Sequence, residues 1–233
     1  DYCIVINFSS KFANVSAEEF IQEYIINNHV KEVIAGFDFT FGKFGKGNMM
    51  ILDEMSDFNT TIVSKQEIES EKISTTDIRK SLKTGDLQKA NDELGYRYRI
   101  KGMVVQGEKR GRTIGFPTAN VEPSGDYVLP KNGVYAVSMK IGANDKIYRG
   151  AANVGVKPTF HDPSKAQVVI EVNLFDFHEN IYGERVIVYW HHYLRPEVKF
   201  DGIDPLVEQM NKDKEKAKYL LSVDFGDEIS YNI

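Results

Sequence analysis

The chain has 233 residues, of which 42% are hydrophobic and 27% charged; at roughly 150 residues per domain that is one large domain or two modest ones, with too much apolar content for intrinsic disorder. A formal charge of −5 offers no global basic field, so nucleic acid is not an expected partner and any polyanionic ligand has to be held locally. No apolar run reaches the ~18 residues of a membrane helix, and the single cysteine, Cys3, excludes an internal disulfide and a cysteine-based zinc cluster, which leaves oxygen ligands for any metal.

Residue 1 is Asp rather than Met, so further chain is expected upstream, and residues 1–30 lack a secretory pattern, so a soluble, cytoplasmic chain is expected. The apolar run from Tyr2 to Phe8 predicts a buried strand. Ser16-Ala17-Glu18-Glu19 has the form of a capping box and opens a helix to about Asn28, with Phe20, Tyr24 and Ile25 on one face. Glu32 to Gly36 predicts a second strand, giving a parallel strand–helix–strand unit. A polar, glycine-rich stretch follows over 37–48, then a third strand at 60–65. Ser74 starts another helix that Gly85 stops, and Asp86 to Leu94 forms a short one ending at Gly95.

Beyond Tyr96 the reading changes to strands, predicted at 97–107, 126–131, 134–141, 147–154, 166–175 and 185–193, with a two-residue hairpin at Asn132-Gly133. Six closely spaced strands predict a small antiparallel barrel or sandwich. A final helix has Asp204 as N-cap, Pro205 at its first position and an apolar stripe of Leu206, Met210, Ala217 and Leu220 or Leu221, which suits packing across the barrel. The expected organisation is an α/β domain over 1–84, a linker helix over 85–95 and a β-rich domain with a terminal helix over 96–233.

The richest segment for chemistry runs from Gly107 to Asn120. Its glycines let backbone amides converge on an anion, and Lys109, Arg110 and Arg112 add positive charge to an acidic protein. A basic hairpin loop is the bland alternative. Thr118 and Asn120 lie two apart, so on an extended segment a hydroxyl and an amide oxygen share a face and can serve Mg²⁺. In 167–174 the even positions Val168, Ile170, Val172 and Leu174 are apolar, which leaves Glu171 and Asn173 together on the opposite face. Glu171 is then either a rigidly held general base or an ordinary exposed carboxylate. Gly36-Phe37-Asp38-Phe39-Thr40-Phe41-Gly42 follows a predicted parallel strand, where nucleotides bind in open α/β sheets. Ser74-Thr75-Thr76-Asp77-Ile78-Arg79 offers hydroxyls, free amides and an arginine to a phosphate, or is simply an N-cap. His191 and His192 are adjacent on a strand and are expected to face opposite ways, a poor geometry for a shared metal; His29, His161 and His178 fall in turns or loops, and Trp190 reads as core.

Together these segments resemble the bacterial bifunctional riboflavin kinase/FMN adenylyltransferases, also called prokaryotic FAD synthetases, over essentially the whole chain. Gly115-Phe116-Pro117-Thr118-Ala119-Asn120 is similar to the kinase signature, Asn153-Val154-Gly155 with Pro158-Thr159 to the next motif, and Leu194-Arg195-Pro196-Glu197 with Phe200-Asp201 to the closing one. Glu171 stands where the family has its catalytic glutamate. The resemblance implies an incomplete Rossmann-like nucleotidyltransferase domain followed by a six-stranded antiparallel riboflavin kinase barrel. It implies ATP, riboflavin and FMN as substrates and Mg²⁺ as cofactor. Glu171 would act as base, Gly107, Lys109, Gly111, Arg112, Gly115, Thr118 and Asn120 on ATP and its phosphates, Thr118 and Asn120 on the metal, and Arg195 and Phe177 on the flavin. Gly36, Asp38, Phe39, Ser74, Thr75, Thr76 and Arg79 would belong to the adenylyltransferase site.

Several positions depart from the family pattern. Thr75 stands for a second serine, Thr40 and Lys157 for arginines, and Asn173 for a histidine, so Asn173 is given no catalytic role. No His-x-x-His segment occurs in residues 1–233, from which the FAD-forming half is expected to be inactive in this chain and present in a full-length parent. A flavin- or nucleotide-binding regulator without turnover is the competing reading, and a small-barrel nucleic-acid binder is disfavoured by the acidic balance.

Overall fold

The structure is a computed structural model that describes residues 2–68, 70–108, 110–143, 146–157 and 167–225, with the side chains of Arg110, Arg112, Lys157, Gln167 and Phe225 left aside. The chain divides into two compact units, 1–73 and 74–233.

In the first unit, Tyr2–Phe8 is not a strand. Tyr2, Ile4, Val5 and Phe8 are exposed and no ladder forms along them, because an apolar run becomes a strand only where a neighbour supplies the other half of its hydrogen bonds. Helix α1 is Ser10–Ala13 and α2 is Ala17–Phe20, prolonged by a π-helical segment, Ile21–Ile26. The capping box is present as read: the Glu19 amide donates to Ser16 Oγ and the Ser16 amide to Glu19 Oε2. Strand β1 (Glu32–Gly36) pairs in parallel with β4 (Asn59–Val63), and between them lie β2 (Thr40–Phe41), β3 (Gly47–Asn48) and α3 (Met49–Asp53). The parallel pair is thus 32–36 with 59–63, not 2–8 with 32–36. Ile21, Ile25, Phe41, Met49, Leu52 and Phe58 form this unit's core. A short hairpin of β5 (Glu67–Ile68) and β6 (Glu71–Lys72) ends it.

The second unit opens with α4 (Thr75–Thr84), capped by Ser74 and stopped by Gly85 at φ +87°, and α5 (Leu87–Leu94), capped by Asp86 and stopped by Gly95. These helices are not a free linker. Leu82, Leu87 and Ala90 are buried in the same cluster as the barrel residues, and Asn91 Nδ2 donates to the Trp190 carbonyl at 3.0 Å while Asn91 Oδ1 accepts from the Tyr98 amide at 2.7 Å.

Strands β7 (Arg99–Val105), β8 (Ala119–Pro123), β9 (Gly133–Ile141), β10 (Ile147–Lys157), β11 (Gln167–Leu174) and β12 (Arg185–Arg195) close into an antiparallel barrel in the order β10-β11-β8-β7-β12-β9. A single-turn helix, α6 (Arg110–Thr113), lies between β7 and β8. Six strands were expected, but one of them is a different segment. Ala119–Pro123 is in the barrel, whereas 126–131 has no ladder and lies extended, with Tyr127, Val128 and Leu129 packed on the core and Val128 accepting a hydrogen bond from Tyr98 Oη. Apolar content put 126–131 against the core without giving it a strand neighbour. The hairpin expected at Asn132-Gly133 is consequently absent. Gly133 instead starts β9 where a Cβ would lie 2.5 Å from the Arg195 carbonyl oxygen, so close backbone approach explains the glycine.

The barrel interior is filled by alternate residues, among them Ile100, Val104, Val137, Met139, Ile170, Val172, Val188 and Trp190. Helix α7 (Ile203–Phe225) packs outside on β9, β10 and β12 through Ala217 and Leu221, both fully buried, with Ala136, Phe175 and Leu194. It begins at Ile203, so Asp204 lies in the first turn rather than capping it. No helix among the described residues is long and apolar enough to cross a membrane.

Candidate active site

The ladder registers decide which side chains meet. Asn153 of β10 stands opposite Glu171 of β11, and Glu171 stands opposite Asn120 of β8; directly opposed residues share a face. The flanking row Val154–Ile170–Val121 is core, so the Asn153–Glu171–Asn120 row faces outward. Asn173, two residues beyond Glu171, shares its face.

On that face a cavity of about 300 Å³ is bounded by Thr118, Asn153, Glu171 and Asn173 on the barrel side and by Ile114 and Phe116 from the β7–β8 loop. Arg195, Glu197 and Phe200 supply another wall, and Leu206, Met210, Asp213 and Lys214 of α7 the opposite one. A second cavity of about 310 Å³ is bounded by Val104, Pro117, Thr118, Ala119, Leu174, Phe177, His178 and Tyr182. Thr118 lines both.

The β7–β8 loop is shaped by close contacts. A Cβ on Gly107 would sit 2.2 Å from Asn120 Nδ2, so the loop's first limb lies against the buried Asn120 amide. Gly111 accepts the Phe116 amide at 2.8 Å and backs onto the Phe116 carbonyl, where a Cβ would be at 2.2 Å. Gly115 takes φ +83° in the turn just after. Lys109 lies outside the described residues, as do the Arg112 side chain and Pro158-Thr159 of the second motif.

Two residues expected to act on one ligand are separated. Arg195 is in the wall of the Glu171 cavity, whereas Phe177 lies in the second one, its ring edge-on to Tyr148 at 4.8 Å. Arg195 is moreover committed: Nε and Nη2 donate to the Asp213 carboxylate and Nη1 to the Pro196 carbonyl. It straps β12 to α7 across the cavity wall. Asp213, 6% exposed and also held by Gln209, was not picked out from sequence; its signal was a charge at i+3 from Met210 inside the apolar stripe. Asn153 and Glu197, joined at 3.1 Å, were quoted within motifs but given no role.

The other expected site residues fall in both units. Gly36 ends β1, Asp38 accepts from Lys72 Nζ at 2.6 Å, and Phe39 stacks on Phe41 at 5.7 Å. The Lys72 hydrogen bond holds the exposed Asp38 carboxyl below its ordinary range. Ser74, Thr75, Thr76 and Arg79 belong to the N-terminal turns of α4, in the second unit. The two groups are not part of one compact body.

The adjacent histidines contradict the expectation of opposite faces. A register shift between Trp190 and His192 is a bulge in β12, and it turns both rings to Asp224 of α7: His191 Nδ1 is 3.3 Å and His192 Nε2 2.9 Å from Asp224 Oδ2, with Arg97 Nη2 at 3.5 Å. His191 is fully buried, and burial pushes its pKa down more strongly than Asp224 raises it. The neutral ring therefore donates from Nδ1 to the carboxylate and accepts at Nε2 from Ser138 Oγ, 2.9 Å away. Burial opposes ionisation of Asp224, but the hydrogen bond from His191 and the charges of His192 and Arg97 prevail and bring its pKa down to about 2. The geometry is that of a serine–histidine–aspartate relay, yet Ser138 and His191 are both 0% exposed. It joins helix to barrel from a buried position.

A family model for riboflavin kinase matches residues 94–221, and one for FAD synthetase matches residues 1–77. A bifunctional riboflavin kinase/FMN adenylyltransferase of Bacillus subtilis is 46% identical over 91% of this chain and 67% of its own length. Its counterpart from Listeria monocytogenes is 43% identical over 94% of this chain and 69% of its own. A crystal structure described as a macrolide-efflux protein from Streptococcus pneumoniae superposes with a TM-score of 0.82 at 41% identity, covering 91% of this chain and 68% of that one. This chain spans about two thirds of the length of each.

Proposed function

The chain belongs to the bifunctional riboflavin kinase/FMN adenylyltransferase family, and we propose that its barrel phosphorylates the ribityl 5′-hydroxyl of riboflavin with ATP, giving FMN and ADP. One observation carries the residue assignment: Glu171 and Thr118 share a cavity, and Thr118 is also a wall of the next. A general base has to reach the hydroxyl it deprotonates, so riboflavin belongs in the cavity of Glu171, whose apolar walls of Ile114, Phe116, Leu206 and Met210 suit a large planar ring. ATP then occupies the cavity of Phe177 and Tyr182, its γ-phosphate reaching the common wall at Thr118. Phe177 is reassigned on this reading to the nucleotide, and Arg195 to the wall of the flavin cavity.

In the transfer, Glu171 accepts the hydroxyl proton as the O5′–P bond forms and the bond from γ-phosphorus to the ADP oxygen breaks. Asn120 and Asn153 flank Glu171 on its face, Asn120 on the side of the metal and phosphates, and the turn at Gly111–Gly115, which borders the Glu171 cavity, lies over the shared wall at Thr118 where the γ-phosphate arrives. Such transfer depends on positioning and charge neutralisation more than on covalent chemistry.

Mg²⁺ fits the residues present. Thr118, in the wall of both cavities, and Asn120, opposite Glu171 in the ladder, would offer it hard oxygens, the Asn120 amide occupying the space that a Cβ on Gly107 would take. No group of three or more His, Cys, Asp or Glu able to hold a metal occurs among the described residues, so phosphate oxygens have to complete the shell, the usual arrangement for this ion. Bound there, Mg²⁺ would neutralise charge on the phosphates.

The test is to incubate the chain with riboflavin, ATP and Mg²⁺ and separate the flavins. FMN without FAD is the expected result, since residues 1–233 contain no His-x-x-His segment. FAD alongside FMN would overturn the restriction to one activity; no FMN at all would favour a flavin-binding regulator.

A further inference from the structure

We infer that Asn173 is a positioning residue: its side-chain amide replaces a missing rung of the β8–β11 ladder and thereby holds Thr118 against the cavity of Glu171. The inference rests on the kinase reading above and adds a role that neither the motifs nor the ladder supplies.

The β8–β11 pairing runs Val121–Ile170, Asn120–Glu171 and Ala119–Val172, and there it stops. Continued by one residue, the register would set Thr118 opposite Asn173. The ladder cannot go on past that point, because Pro117 has no amide to donate. At this position the Asn173 side chain takes over: Nδ2 donates to the Pro117 carbonyl at 2.8 Å. The carbonyl it holds belongs to the peptide bond whose nitrogen is that of Thr118. Fixing that peptide fixes the backbone from which the Thr118 hydroxyl projects, on the face that also carries Glu171 and lines the same cavity.

The Ile114 and Phe116 amides both return to Gly111, so those bonds shape the loop without anchoring it to the strand that carries the base. A displacement of ~1 Å at Thr118 is enough to disturb an in-line arrangement. Asn173 thus sets the spacing between the group that contacts the phosphates and the group that takes the proton, without touching either reacting atom.

The chemistry required is one donor at the position of Nδ2. Histidine places Nδ1 the same number of bonds from the backbone and can donate; alanine has no donor; aspartate has the asparagine shape but sets a carboxylate oxygen against the carbonyl. The experiment compares Asn173→Ala, Asn173→Asp and Asn173→His with the unaltered chain in four measurements: kcat, the Mg²⁺ titration of turnover, MgADP affinity by calorimetry, and riboflavin affinity by fluorescence quenching.

With alanine, kcat is expected to fall about tenfold, in line with the loss of one positioning hydrogen bond. The Mg²⁺ midpoint should rise and MgADP should bind several-fold more weakly, with the melting temperature little changed; because Asn173 also borders the Glu171 cavity, riboflavin affinity is expected to fall, but by less than MgADP affinity. Aspartate should be at least as impaired, and histidine should recover most of kcat and of MgADP affinity. Unchanged metal titration and MgADP affinity in the alanine variant, or an aspartate variant as good as asparagine, would overturn the inference. So would a histidine variant that folds but recovers nothing. Absence of FMN formation by the unaltered chain would instead remove the kinase reading on which it rests.

Discussion

At the scale of single residues, the candidate site is built on a contrast between an ordinary strand pattern and what faces away from it. Val168, Ile170, Val172 and Leu174 serve the core, and that alternation alone leaves Glu171 and Asn173 outward. Position follows from periodicity; role does not, since many sheets carry an outward glutamate. The register supplies what periodicity lacks, by setting Glu171 between Asn120 and Asn153. Replacing Glu171 with Gln keeps the size and hydrogen-bonding capacity of the side chain and removes its basicity. Turnover is expected to fall about 10²- to 10³-fold, with riboflavin affinity within about threefold. Single-turnover rates and equilibrium flavin titration measure the two separately, and an unchanged rate would disqualify Glu171 as base. Arg195 teaches the opposite lesson. A conspicuous arginine in a motif reads as a ligand contact, yet Nε, Nη1 and Nη2 each also bond Asp213 or Pro196, a structural role that only the packing of α7 beside the cavity reveals.

At the scale of elements, α7 is held to the barrel by ionic contacts as well as by its apolar stripe. Arg195 grips Asp213 near the middle, and His191, His192 and Arg97 grip Asp224 near the end. The second grip is pH-dependent in a defined direction. Asp224 has a folded pKa of about 2, below its ordinary value, so its contribution is present above about pH 4 and is lost as pH falls toward 2. His191, whose pKa is lowered, is neutral when folded; protonation below about pH 6.5 is easier in the unfolded chain, so stability also declines on acidification. Asp224→Asn is expected to cost about 1–3 kcal/mol at neutral pH, a melting point lower by roughly 3–10 °C for a unit of this size. It should also flatten the decline of melting temperature with acid. Thermal melts between pH 3 and 8 check both, and superimposable curves would show that the cluster stabilises nothing. The helix caps at Ser16, Ser74, Gly85 and Gly95 were legible because capping is local chemistry. The bulge that turns two adjacent histidines the same way was not, because a bulge is a relation between two strands.

At the scale of the whole molecule, six strands were countable but not all identifiable. Ala119–Pro123 was hidden by the prolines that flank or end it and by a glycine-rich approach, all of which read as loop. Residues 126–131 have the apolar content of a strand and pack as one, yet find no partner. Tyr2–Phe8 fails for the same reason in the first unit. Strand identity depends on pairing, and pairing is non-local. The division into units behaves likewise: α4 and α5 look like a linker in sequence, but their apolar faces are spent on the barrel core, so the second unit starts at Ser74. A chain of residues 74–233 is therefore expected to fold and to form FMN at a rate within a few-fold of the longer chain, whereas one starting at residue 96 should expose the apolar barrel surface that Leu82, Leu87 and Ala90 cover and aggregate. Circular dichroism, light scattering and flavin chromatography on the two would decide, and an insoluble 74–233 would refute the boundary.

The threonine that walls both cavities has a kinetic meaning. If donor and acceptor meet at one side chain, the phosphoryl group needs no resting place on the protein. Both substrates then have to be bound before either product leaves, initial-rate lines for the two should intersect, and the configuration at phosphorus should invert once.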